Sequence, residues 1–162
     1  PFFTILFTPL FGALVDKVGK ATLWMIVGSA MVLVSHLIIT FAPQGEPMYA
    51  YIAIALLGIG YSLVPSAMWP SVPKIIPEKN LGTAYSLIYW VQNLGMWAVP
   101  IYVGRIFKKE ITEAGNISQE ITAAIHAEYV FIFLGIVAIA TAMMLYHSSR
   151  RHPELRLDEP AQ

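Results

Sequence analysis

The chain has 162 residues, 57% hydrophobic and only 12% charged, with a mean hydropathy of +0.63, whereas a soluble domain carries about 25% charged residues. Ten Lys and Arg balance ten Asp and Glu, which leaves no basic field for nucleic acid. The absence of cysteine excludes a disulfide framework, a thiolate metal site and a cysteine nucleophile.

In chain order, residues 1–15 carry no charge, but at about 1.5 Å each they span roughly 22 Å, short of the roughly 30 Å hydrocarbon core. They read as the end of a transmembrane helix. The start at Pro1, without a basic n-region or a small-residue cleavage pattern, fits a piece of a longer protein better than a signal peptide. Residues 21–42, 48–73, 80–104 and 129–149 are each free of Asp, Glu, Lys and Arg, and each is long enough to cross a bilayer. The expectation is an all-α polytopic membrane protein with spans at 1–15, 21–42, 48–73, 80–104 and 127–149, then a tail at 150–162.

The basic residues orient it. Lys17, Lys20, Lys74, Lys79, Arg150, Arg151 and Arg156, seven of the ten, fall at alternate ends of the spans, so the first and third linkers and the C-terminus are expected to be cytoplasmic. The fourth linker, residues 105–128, mixes Arg105, Lys108 and Lys109 with Glu110, Glu113, Glu120 and Glu128 and is expected outside. Its Ile117, Ile121 and Ile125 recur every four residues, which fits an amphipathic helix on the interface or an extension of the last span. Asn116-Ile117-Ser118 also matches an N-glycosylation sequon.

Polar groups inside the spans need partners. Gln92 and Asn93 sit at the centre of the fourth charge-free run, where an unsatisfied amide is costly; they either contact a substrate or hydrogen-bond between helices. Adjacent helical residues point about 100° apart, so one of the two is expected to face a cavity. Tyr85 and Tyr89 share a stripe with Asn93, and Tyr61, Ser62, Ser66 and Trp69 form another along residues 48–73. Pro65, Pro70, Pro73 and Pro100 predict bends that either gate the cavity or fix static curvature. His36 is read as held by packing or a local carbonyl rather than as a proton relay.

The first linker, Gly12-Ala13-Leu14-Val15-Asp16-Lys17-Val18-Gly19-Lys20, is compressed between two spans. Gly12 suits a close helix approach, Gly19 a backbone turn, and Asp16 a place at the membrane face where a helix N-terminus would hold it. This stretch resembles the loop motif of the major facilitator superfamily, found after the second helix and more loosely after the eighth. If it is the second copy, the segments correspond to the end of helix eight and helices nine to twelve of a twelve-helix fold. The resemblance implies that Asp16 docks near Asn80-Leu81-Gly82-Thr83 as part of a gating latch with Gly12, Gly19 and Lys20. It also implies that the spans at 48–73 and 80–104 line a substrate cavity. Finer similarity runs through Pro9-Leu10-Phe11-Gly12, Val34-Ser35-His36, Gly58-Ile59-Gly60-Tyr61-Ser62-Leu63, Met68-Trp69-Pro70, Leu81-Gly82-Thr83-Ala84-Tyr85 and Gln92-Asn93-Leu94-Gly95. Together these resemble the lysosomal dipeptide uniporter branch of that superfamily and its bacterial relatives.

The implied function is alternating-access transport of dipeptides or similar small zwitterions, with Trp69, Asn93, Gln92, Tyr61, Ser62, Ser66, Tyr85 and Tyr89 as candidate cavity residues. The expected partners are the lipid bilayer, a small-molecule substrate and an N-terminal half of the same transporter. The membrane would be the inner membrane of a bacterium or the lysosomal membrane of a eukaryote. No cofactor or metal is expected. Carriers of organic anions or sugar phosphates and a non-transporting scaffold remain alternatives. An enzyme is disfavoured, because the charge-free runs hold no paired carboxylates and the chain holds no catalytic motif.

Overall fold

A computed structural model describes residues 2–43, 45–111 and 116–160, and among these residues all regular structure is helical. Five helices follow in order: α1 (Phe2–Val18), α2 (Ala21–Phe41), α3 (Pro47–Ile75), α4 (Leu81–Glu110) and α5 (Ile117–Arg151). Short 3-10 turns occupy Glu78–Asn80 and Pro153–Leu155. Glu113 lies outside the described residues.

Local chemistry sets the boundaries. Gly19 at φ +70° and Lys20 at φ +58° make the tight left-handed turn between α1 and α2. Pro47 opens α3 with its fixed φ. The Asn116 side chain accepts the Gln119 N–H at 3.0 Å and caps α5. The sequon asparagine thus has a structural task, and the isoleucine-repeat segment extends the last span as one continuous 35-residue helix. Helices α3 and α4 likewise run unbroken through Pro65, Pro70 and Pro73 and through Pro100.

The protein is an all-α polytopic membrane fold in which α2, α3 and α5 are long and apolar enough to cross a bilayer. Charge-free runs predict a fourth full span. Helix α4 has ample length, with 30 residues, but it carries Gln92, Asn93 and several glycines and tyrosines. Lack of charge is a weaker criterion than hydropathy, since buried amides are also costly.

Packing is tightest between α2 and α3, and small residues cause it. A Cβ added to Gly60 would lie 2.7 Å from the Gly28 carbonyl oxygen, and one added to Gly28 would lie 2.8 Å from Val64 Cγ2. Ser35 Oγ donates to the Ala53 carbonyl oxygen at 2.8 Å across the same interface. Lipid offers no solvophobic drive, so close backbone approach and such hydrogen bonds hold the pair. Helix α5 packs on another side of α2, α1 lies on α3, and α4 rests mainly on α5 with only thin contact to α3. Because Gly60 meets backbone, Gly60→Val is expected to cost about 1–3 kcal/mol. Gly82→Ala, whose Cβ meets nothing within 4 Å, should be neutral or slightly stabilising. Thermal unfolding of the detergent-solubilised variants checks both.

The α2–α5 contact contains a histidine–carboxylate hydrogen bond. His36 Nδ1 lies 2.7 Å from Glu128 Oε2, with the two side chains only 12% and 18% exposed, and the imidazole stacks on Phe131 at 5.1 Å. The sequence assigns Glu128 to the linker and gives His36 a packing or carbonyl contact. The structure supplies the stacking and adds the carboxylate, because α5 begins at Ile117 rather than where charge ends. Removing one partner leaves the other desolvated and alone, so Glu128→Ala is expected to cost about 3 kcal/mol, while His36→Leu with Glu128→Leu should recover most of it. A double-mutant cycle on thermal stability reads the coupling.

Candidate functional site

A cavity of about 480 Å³ opens where α3 faces α4, with α2 and α5 behind it. Its walls include Tyr61, Pro65, Met68 and Trp69 of α3, Gln92 of α4 and Ala138 of α5. It exists because α4 leans on α5 and stands off α3. The volume falls within the roughly 300–1,000 Å³ typical of small-molecule sites.

Aromatic rings bridge the gap at one edge. The Trp69 ring centroid lies 5.1 Å from Tyr89, nearly stacked at 29°, and 5.8 Å from Tyr85, tilted by 38°. Tyr85 and Tyr89 are one helical turn apart on α4 and present one face to α3. Trp69 is thereby fixed against α4 while still lining the cavity. Such a cluster offers apolar surface and electron-rich ring faces that attract a cation. Gln92 adds an amide with no hydrogen-bond partner among the described residues. Among the described residues the lining holds no Asp, Glu, Lys or Arg.

The other candidates sit differently. The Asn93 side-chain N–H donates to the Tyr89 carbonyl oxygen of its own helix at 2.8 Å, and Asn93 does not line the cavity. Ser62 is fully buried and donates to the Gly58 carbonyl oxygen at 2.7 Å. Ser66 is buried as well; its hydroxyl lies 2.7 Å from the Ser62 carbonyl oxygen and 3.0 Å from that of Thr8, tying α3 to α1. Both serines are therefore turned away from the cavity, Ser66 toward α1 and Ser62 onto its own backbone. Among the described residues no group of three or more His, Cys, Asp or Glu could hold a metal.

The Gly12–Lys20 stretch forms the end of α1 and the turn to α2. Asp16 is exposed, and among the described residues no hydrogen bond or ion pair joins it to Asn80–Thr83. A methyl group added at Gly12 would meet open space rather than a neighbouring helix. The carboxylate at a helix start is instead Asp158, which lies just beyond the end of α5 and was missed by sequence reasoning. Its Oδ1 accepts the Thr22 N–H at 3.0 Å and the Thr22 hydroxyl at 2.7 Å, and its Oδ2 accepts from Ser149 at 2.9 Å. A negative charge there complements the unpaired N–H groups and positive end of α2.

The tail is secured by further contacts. The Lys20 N–H donates to the Asp158 carbonyl oxygen at 2.8 Å, and Lys74 Nζ donates to the carbonyl oxygens of Glu159 at 3.0 Å and Arg156 at 3.2 Å. Leu157 is buried at 1% exposure; two leucines, Leu155 and Leu157, in an otherwise charged tail are the available signal. At Gly19 a Cβ would collide with the Asp158 carbonyl oxygen, so this glycine serves both the turn and the tail. Asp158→Ala is expected to cost about 1–2 kcal/mol and to speed amide exchange at Thr22 about tenfold; exchange unchanged from wild type would contradict the cap.

Comparison with known proteins gives a consistent family. The family model described as Major Facilitator Superfamily matches residues 1–162. A mouse (Mus musculus) protein named lysosomal dipeptide transporter MFSD1 is 44% identical over 99 residues, covering 61% of this chain and 20% of the relative. The human (Homo sapiens) protein of that name is 42% identical over the same shares. The zebrafish (Danio rerio) protein is 32% identical over 139 residues, covering 86% of this chain and 27% of the relative. The chain thus spans about a fifth to a quarter of the length of these relatives. No solved structure matches.

Proposed function

The chain belongs to the major facilitator superfamily, and from that premise we propose that it forms the C-terminal part of an alternating-access carrier of dipeptides or similar small zwitterions. The observation that carries the reading is the cavity between α3 and α4, walled by Trp69, Tyr61 and Gln92 and braced by Tyr85 and Tyr89. The printed name of the relatives supports the substrate class. A carrier, not an enzyme, is the activity that family and cavity favour together.

The physical division of labour follows from the lining. With aromatic rings and one amide but no charged side chain, this wall grips the substrate's apolar groups, its peptide bond and, through the Trp69 and Tyr faces, its ammonium group. The carboxylate and the remaining charge recognition fall to a second half of the transporter, facing this one across the midplane. Helix α4 is the moving wall: it is thinly attached to α3, and the prolines of α3 and Pro100 weaken backbone hydrogen bonding where bending is needed. The end of the bundle bearing Lys17, Lys20, Lys74, Lys79, Arg150, Arg151 and Arg156 faces the cytoplasm. Asp16 remains free at that end to engage the α4 start in another state of the cycle, with Gly12, Gly19 and Lys20 as the rest of the gate.

Uptake of labelled dipeptides into proteoliposomes holding the full-length parent tests this. Trp69→Ala and Gln92→Ala are expected to raise KM about tenfold each, equivalent to about 1.4 kcal/mol of lost binding, while Asn93→Ala has a smaller effect. Saturable uptake untouched by Trp69→Ala and Gln92→Ala would contradict the cavity assignment, and absent uptake by folded protein would contradict the substrate class.

A further inference from the structure

A second groove runs toward the opposite end of the bundle from the tail, starting about one helical turn beyond the aromatic cavity, where the last turns of α4 meet the first turns of α5. Its polar part encloses about 700 Å³ and is walled by Tyr102, Arg105, Lys109, Glu110, His126 and Tyr129. An apolar crevice of about 450 Å³ continues from it, lined by Trp97, Val99, Ile101 and Leu134. The two share Tyr102, Arg105, Val130 and Phe133 and so form one amphipathic channel.

Its polarity follows membrane depth. Residues 81–104 of α4 are free of charge and Arg105 is the first charged residue, so Arg105 marks the interface. Trp97 lies eight residues deeper, which at about 1.5 Å per residue is roughly 12 Å toward the bilayer centre. Tyr102 and Tyr129 stand at the level where amphipathic rings favour the headgroup boundary. Among the described residues the carboxylate in the polar part is Glu110, which is engaged by His126 at 3.2 Å. Arg105 and Lys109 form no ion pair among the described residues and are exposed. Among the described residues, two cations against one occupied carboxylate leave a net positive headgroup pocket above an apolar slot.

We propose that this groove binds a phospholipid with an anionic headgroup, its phosphate against Arg105 and Lys109 and the upper part of an acyl chain along Trp97, Val99 and Leu134. The guanidinium and ammonium supply charge-assisted hydrogen bonds to phosphate, Tyr102 and Tyr129 flank the glycerol region, and the crevice removes acyl surface from neighbouring lipid. A bound lipid would bridge α4 to α5 and thereby stiffen the wall that the aromatic cavity depends on. The inference rests on the membrane fold and not on the transport reading, so either can fail alone.

Native mass spectrometry of the full-length parent with equimolar phosphatidylglycerol and phosphatidylcholine tests it. Wild type is expected to retain phosphatidylglycerol about tenfold better, given the attraction of two basic residues near the membrane surface. Arg105→Gln with Lys109→Gln should abolish that preference, and Lys108→Gln, which removes a charge outside the groove, should preserve it. The proposal is overturned by a preference that survives the double variant, by equal loss in Lys108→Gln, or by displacement of the lipid by glycerol phosphate as readily as by phosphatidylglycerol.

Discussion

The architecture depends on the approach of α2 to α3 at Gly28 and Gly60. In lipid the tails are as apolar as leucine, so helices associate through contact and hydrogen bonding rather than by escaping water. With Gly60 Cα facing the Gly28 carbonyl and Ser35 bonded to the Ala53 backbone, the pair forms a rigid axis. Helix α5 joins it through Gly135, which seats Leu33, and through the His36–Glu128 pair. This axis makes only thin contact with α4, which rests on α5 instead. The cavity is the space left where α4 stands off α3.

The same logic places the polar groups. Serines on α3 satisfy their hydroxyls on backbone carbonyls within or between helices, which lets them sit buried without cost to the fold. Gln92 stays available on the loose wall. At the tail end, Asp158 brings one carboxylate to three donors from α2 and α5. This ties the chain's last residues to the start of α2 beside the Gly19 turn, so the loop read as a gate from its sequence is also a docking point for the tail.

Much of the fold was legible because lipid forbids charge: each charge-free run became a helix. The boundaries were less legible where charge was used in place of capping. Glu128 stood where the expected linker at 105–128 overlaps the expected span at 127–149, and the isoleucine repeat left an interfacial helix and an extension of the last span both open, although Asn116 with Gln119 three residues later signals the helix start. For the candidate site, the stripe of Tyr61, Ser62, Ser66 and Trp69 was visible, but periodicity cannot say which flank of a stripe meets a neighbouring helix. Tyr61 and Trp69 line the cavity, whereas the serines face α1 and their own backbone. Asp158 was hidden because its role is long-range, and no local pattern announces a cap 136 residues away in sequence.

The most direct test of the central claim, that the space beside Gln92 and Trp69 is where substrate sits, uses the lack of cysteine in this chain. Gln92→Cys would be introduced into a cysteine-free full-length parent and labelled with a water-soluble thiol reagent, with Lys108→Cys at the exposed, charged end of α4 as control. Saturating dipeptide is predicted to slow labelling at position 92 and leave position 108 unchanged. Labelling at position 92 that ignores dipeptide, in protein that still transports it saturably, would contradict the account.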